Sequence, residues 1–145
     1  MGRDLNAMKR LLLFAALMGF VAAGARADDL DALQGKWRVK KTNERGAFTQ
    51  QIEFKKNQFT FKLFDADDRP TFVAVGEVEV KKQGSFNTAR FFKIKAGRSE
   101  ADLEASDEER NSIYLIDNGQ FYLASNFDKL REREKPSADA YLKAD

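Results

Sequence analysis

The chain has 145 residues, with 25 basic and 23 acidic side chains, no cysteine and no histidine. Without His or Cys it cannot build a Ser-His-Asp or Cys-His catalytic arrangement, and it lacks the commonest general base and the usual zinc ligands. The near balance of charge also leaves no broad basic field of the kind that holds nucleic acid.

The chain opens with a basic segment carrying Arg3, Lys9 and Arg10, an apolar run from Leu11 to Ala23, and then Ala25-Arg26-Ala27. That order is the layout of a cleavable signal peptide ending in a small-x-small site, which places residues 1–27 in a leader. The run is 13 residues long, short of the roughly 20 that a permanent membrane helix needs. No Cys follows it to take a lipid. The expected product is a periplasmic or extracellular chain of residues 28–145 with no membrane insertion. Cleavage removes Arg3, Lys9, Arg10, Arg26 and Asp4, leaving 21 basic and 22 acidic residues and a net charge of −1. That length suits one domain with one core.

Leu30 and Leu33 are spaced as on one face of a helical turn. A single turn is unstable alone, so it is predicted to dock on an apolar surface. From Gly35 to Lys41, Trp37 and Val39 alternate with Arg38 and Lys40, the period of a half-buried strand. The second strand shares Phe48, Ile52 and Phe54 on one face, and Lys56-Asn57-Gln58 turns into a third with Phe59, Phe61 and Leu63. Asp65 to Pro70 breaks the ladder, because Pro cannot donate to it. Phe72 to Lys82 is the fourth strand and Thr88 to Lys95 the fifth, with Gln83-Gly84 between them.

Residues 96–110 lack alternation and carry six acidic side chains. They read as a long polar loop with room for one helical turn capped by Ser99. Ser112 to Ile116 and Phe121 to Phe127 are strands joined at Asn118-Gly119, the strongest short hairpin signal. A weaker eighth strand is expected in the charged segment Lys129 to Glu134, before Pro136 and a tail with Tyr141 and Leu142. Consecutive antiparallel strands close most simply as an up-and-down barrel, which removes exposed edges. The fold class predicted is therefore all-β, an up-and-down antiparallel β-barrel of about eight strands with a short N-terminal helical turn. A two-sheet sandwich is the alternative.

Two patches carry a resemblance. Leu33, Gly35 and Trp37 form a Leu-x-Gly-x-Trp start, and Ile113-Tyr114-Leu115-Ile116 leads through Asp117-Asn118-Gly119 into Phe121-Tyr122-Leu123. In that order they resemble the lipocalin-like, calycin-type domain of small exported bacterial proteins. The resemblance implies a barrel able to hold a ligand, with a basic residue late in the chain, Arg131 or Arg133, packing across Trp37.

Trp37 beside Gly35 fits a buried plug at a closed barrel end better than a ligand contact. Phe54, Phe59, Phe61, Phe72, Phe92 and Phe121 fall on predicted inward positions, where rings usually fill a core. On the fourth strand, however, the face with Phe72 continues through Ala74 and Gly76 before Val78 and Val80. Small inward residues match a barrel's taper or leave a void for a ligand.

Asp65, Asp67 and Asp68 lack the Gly and distal Glu of a calcium loop and read as a hairpin tip. No metal site, cofactor or catalytic set is assigned. Two functions remain open. In one, a non-enzymatic carrier takes a small apolar ligand against Phe54, Phe61, Phe72, Ala74, Gly76 and Phe92. In the other, a solidly packed barrel presents its loops to a protein partner.

Overall fold

The computed structural model describes residues 30–131 and 133–144, and the leader expected at residues 1–27 lies outside them. The chain divides into two units, Met1–Ala32 and Leu33–Asp145. Of the first, residues 30–32 are described, within the predicted helical turn of residues 30–33. The second unit is a barrel. Its strands are β1 (Gly35–Asn43), β2 (Gly46–Lys55), β3 (Gln58–Phe64), β4 (Pro70–Gln83), β5 (Phe86–Gly97), β6 (Glu104–Ala105), β7 (Arg110–Asp117), β8 (Gln120–Ser125) and β9 (Ser137–Ala144).

Eight of these strands close on one another in the order β1-β2-β3-β4-β5-β7-β8-β9 and back to β1, with β6 added to the end of β5. All the pairings are antiparallel, as the up-and-down reading requires, and the sandwich is set aside. The Asn118-Gly119 hairpin forms where expected, with φ of 51° and 76° at its two central residues. Both signs match a type I′ turn.

Closure differs from the sequence reading. The eighth barrel strand is not Lys129 to Glu134, which lies in the connection from β8 to β9 and, among the described residues, holds an isolated bridge between Arg131 and Glu134. The closing strand is β9, paired to β8 from Ser125↔Ser137 to Gln120↔Leu142 and to β1 at Trp37↔Lys143. From Ser137 to Leu142 its buried or half-buried side chains are Ser137, Asp139 and Tyr141, while Ala138, Ala140 and Leu142 are exposed. A strand with polar side chains inside and alanines outside carries no apolar alternation.

A second difference lies between β4 and β5. Val75 pairs with Lys95 and Glu77 with Phe92, so Gly76 alone faces both Lys93 and Ile94, and Lys93 takes φ 51°. This bulge shifts the phase of β5 by one residue. Ala89 and Phe91 are buried before it and Ile94 after it. Phe92, expected inside, is turned to the outer face, with the Arg90 guanidinium 4.1 Å from its ring centroid.

Aromatic packing fills the half of the barrel where β1 begins. Phe121 meets Trp37, Phe54, Tyr114 and Tyr141 at centroid distances of 5.5, 5.8, 6.0 and 5.7 Å. Phe59 meets Phe91 edge-on at 4.9 Å. Trp37 Nε1 donates to the Leu33 carbonyl at 2.8 Å, which satisfies the indole within the core. The cation across Trp37 is neither Arg131 nor Arg133 but Lys143, its Nζ 4.5 Å from the ring centroid.

Candidate functional site

In the other half, where β1 ends, the barrel holds a cavity of about 470 Å³. Alternation along each strand supplies its wall. Ile52 comes from β2, Phe61 and Leu63 from β3, Phe72 and Ala74 from β4, and Ile94 and Ala96 from β5. Ala74 pairs with Ala96 across β4 and β5, and with Phe61 across β3 and β4. Two alanines side by side on one inner face leave the space that larger residues fill elsewhere. The floor is Phe59 and Phe91, already packed on each other.

Of the six candidate wall residues, the structure brings Phe61, Phe72 and Ala74 together at the cavity. Phe54 lies deeper, 1% exposed in the aromatic cluster beneath it. Gly76 offers no room: a Cβ there would stand 2.7 Å from the Phe92 carbonyl oxygen and 2.8 Å from the Phe59 ring. Phe92 faces outward, and Phe91 takes the place expected of it. Leu33, Gly35, Trp37, Ile113 and Tyr114 all belong to the barrel without lining this space. Leu33, Trp37 and Tyr114 are buried, Gly35 opens β1 opposite Phe54, and Ile113 is half-buried on β7.

The remaining wall is polar. Ser112 and Ser125 share a hydrogen bond at 3.2 Å. Tyr141 donates its hydroxyl to Gln50 Oε1 at 3.0 Å, and Asp139 is held by Lys41 at 2.9 Å. Burial, and secondarily the Asp139 carboxylate, push the Tyr141 hydroxyl well above the usual phenol range.

Above these lies a charged cluster from the start of β7 and the connection between β8 and β9. Arg131, its side chain 9% exposed, pairs with Asp128 through Nη1–Oδ1 at 3.1 Å and with Glu108 through Nε at 3.3 Å. Arg110 meets both oxygens of Glu134, at 2.9 and 3.1 Å. Burial pushes the Asp128 carboxyl up, but the hydrogen bond and charge of Arg131, together with the backbone N–H groups of Asp128 and Asn111, outweigh it and hold the group below the ordinary carboxylate value. Two buried atoms of this cluster have no hydrogen-bond partner among the described residues: Asp128 Oδ2 and Arg131 Nη2.

Sequence reasoning missed this polar side. It lies on β9 and on a charged connection, and charged segments read as surface. The available signal was the alternation of β8, whose inward Phe121 and Leu123 continue into Ser125.

Two other features are accounted for locally. A surface depression of about 420 Å³ lies over the outer face of β4, β5 and β7, where Arg90 is already held by Glu79 and Glu109 at 2.9 and 3.1 Å. At the tip before β4, Asp65 Oδ1 accepts the backbone N–H groups of Asp67 and Arg69, so that carboxylate shapes the turn. Comparison of the chain with models of known families, with curated proteins and with solved structures finds no match.

Proposed function

We propose that this protein is an exported, non-enzymatic, lipocalin-like carrier that takes a small, mostly apolar ligand into the open half of its barrel. The observation that supports this reading is the cavity itself, about 470 Å³ with Phe61, Leu63, Phe72, Ala74, Ile94 and Ala96 on one side. Sites for small molecules are typically concave, about 300 to 1,000 Å³, mainly apolar and fixed in orientation by a few polar groups. Export follows from the leader read in residues 1–27. The packed-barrel alternative describes only the half around Trp37 and Phe121.

The test is a fluorescence titration with N-phenylnaphthylamine, a neutral dye that brightens in apolar surroundings. The wild type should bind it saturably. Ala74→Leu and Ala96→Leu should each weaken binding by about tenfold or more, while stability stays level or rises, because the added methylenes enter existing space. In a packed interior the same changes cost about 1 to 3 kcal/mol. Absence of saturable binding by the wild type, with both variants destabilised, rejects the carrier.

A further inference from the structure

We infer that the ligand is an amphiphile with an uncharged head group that both donates and accepts hydrogen bonds, a hydroxyl or a primary amide, held between Arg131 and Asp128. The inference rests on the carrier reading and adds the chemical class of the cargo. Arg131 Nη1 and Asp128 Oδ1 are 3.1 Å apart, and the second atom of each group, Nη2 and Oδ2, is buried with no partner. Both residues line the same cavity as Phe61, Phe72 and Ala74. Buried polar atoms are almost always satisfied, so an orphan donor and an orphan acceptor on the two members of one ion pair mark the place of a missing complementary group.

The pair selects the charge of that group. A lone orphan arginine would call for an anion, but here two arginines already face three carboxylates, Asp128, Glu108 and Glu134. Among the described residues the cluster therefore carries a net −1 before any ligand arrives. A carboxylate head would add a fourth acid and leave Asp128 Oδ2 unserved. An ammonium head would serve Oδ2, but it can accept nothing from Nη2 and would stand against the guanidinium. A hydroxyl accepts from Nη2 and donates to Oδ2. A primary amide does the same with its oxygen and its NH₂. The alkyl part then lies toward Ala74 and Ala96, where the wall is apolar.

The experiment is displacement of N-phenylnaphthylamine from the wild-type protein at pH 7 by four compounds of one chain length: decanol, decanamide, decanoate and decylamine. Decanol and decanamide should displace the dye at concentrations at least about tenfold lower than the two charged compounds, the scale of one buried hydrogen-bonded pair. In Asp128→Leu/Arg131→Met the dye should still bind, and the advantage of the neutral heads should fall to about twofold or less. Asp128→Asn, closer in shape, should reduce that advantage if the double variant does not fold.

Decanoate or decylamine matching decanol on the wild type overturns the head-group assignment and leaves the carrier standing. An advantage of decanol that survives in a folded variant overturns the assignment to this pair. Failure of the dye to bind the wild type removes the carrier, and the inference with it. The wild-type ranking decides between neutral and charged heads, and the variants decide whether this pair sets the preference.

Discussion

At Trp37 one side chain joins three parts of the chain: its indole N–H closes on Leu33, its ring packs at a tilt on Phe121, and Lys143 covers a face. Replacing it by Ala leaves a large void and exposes the Leu33 carbonyl, and the expected loss is about 3 to 5 kcal/mol. Chemical denaturation followed by circular dichroism measures it, and a loss below about 1 kcal/mol contradicts the plug. Gly76 makes the complementary case. Its missing Cβ accommodates the Phe92 carbonyl and the Phe59 ring. Gly76→Ala should therefore destabilise by about 1 to 3 kcal/mol, as overpacking does, whereas Ala74→Leu two residues away should be tolerated. Equal tolerance at the two positions would refute the distinction. Asp128 predicts a response to acid. Its pKa is lowered on folding, so it contributes stability above the unfolded carboxyl value and loses it as pH falls through the folded one. Melting temperatures of Asp128→Asn should vary less than those of the wild type between about pH 5 and pH 1.

At the scale of elements, the bulge between β4 and β5 has the largest consequence, because it decides which β5 rings enter the barrel. Lys93 holds φ 51° there, a conformation that L-residues adopt at a cost and glycine adopts freely. Lys93→Gly should leave stability unchanged or raise it by up to about 1 kcal/mol, whereas Lys95→Gly, regularly paired with Val75, should cost about 0.5 to 1 kcal/mol. Thermal melts of the two variants give the comparison, and a larger loss at Lys93 would count against the strained bulge. The same bulge explains why the sequence misplaced Phe92. Alternation is legible only while register is regular, and nothing in Phe91-Phe92-Lys93-Ile94 marks the extra residue. β1 to β4, the Asn118-Gly119 hairpin and the helical turn were legible because apolar period and turn chemistry agree in them. β9 was not, since its inner face is Ser137, Asp139 and Tyr141. The site divided along the same line. Phe61, Phe72 and Ala74 follow from period two, while Arg131 and Asp128 lie on a connection whose course depends on where β9 closes the barrel.

For the whole molecule, the division of the barrel into a packed end and an open end sets what can be removed without harm. Among the described residues the first buried side chain is Leu33, fully inaccessible, and its carbonyl accepts from Trp37. The expected cleavage point after Ala27 lies upstream of it. Cutting there should leave the barrel's core whole, which is what an export leader requires of the domain behind it. A chain beginning at Asp28 should thus bind dye and melt cooperatively, while one beginning at Gly35 loses the Leu33 side chain and the partner of the Trp37 indole. Loss of a buried leucine costs about 2 to 5 kcal/mol, a large share of the stability of a domain this size. The two chains should differ in unfolding free energy by that amount, read from denaturant melts. Mass spectrometry of protein recovered from the producing cell's envelope or medium tests the leader itself. The mature N-terminus should be Asp28, and recovery of an intact Met1 or Met8 form held in the membrane would overturn the export reading while leaving the barrel and its cavity untouched.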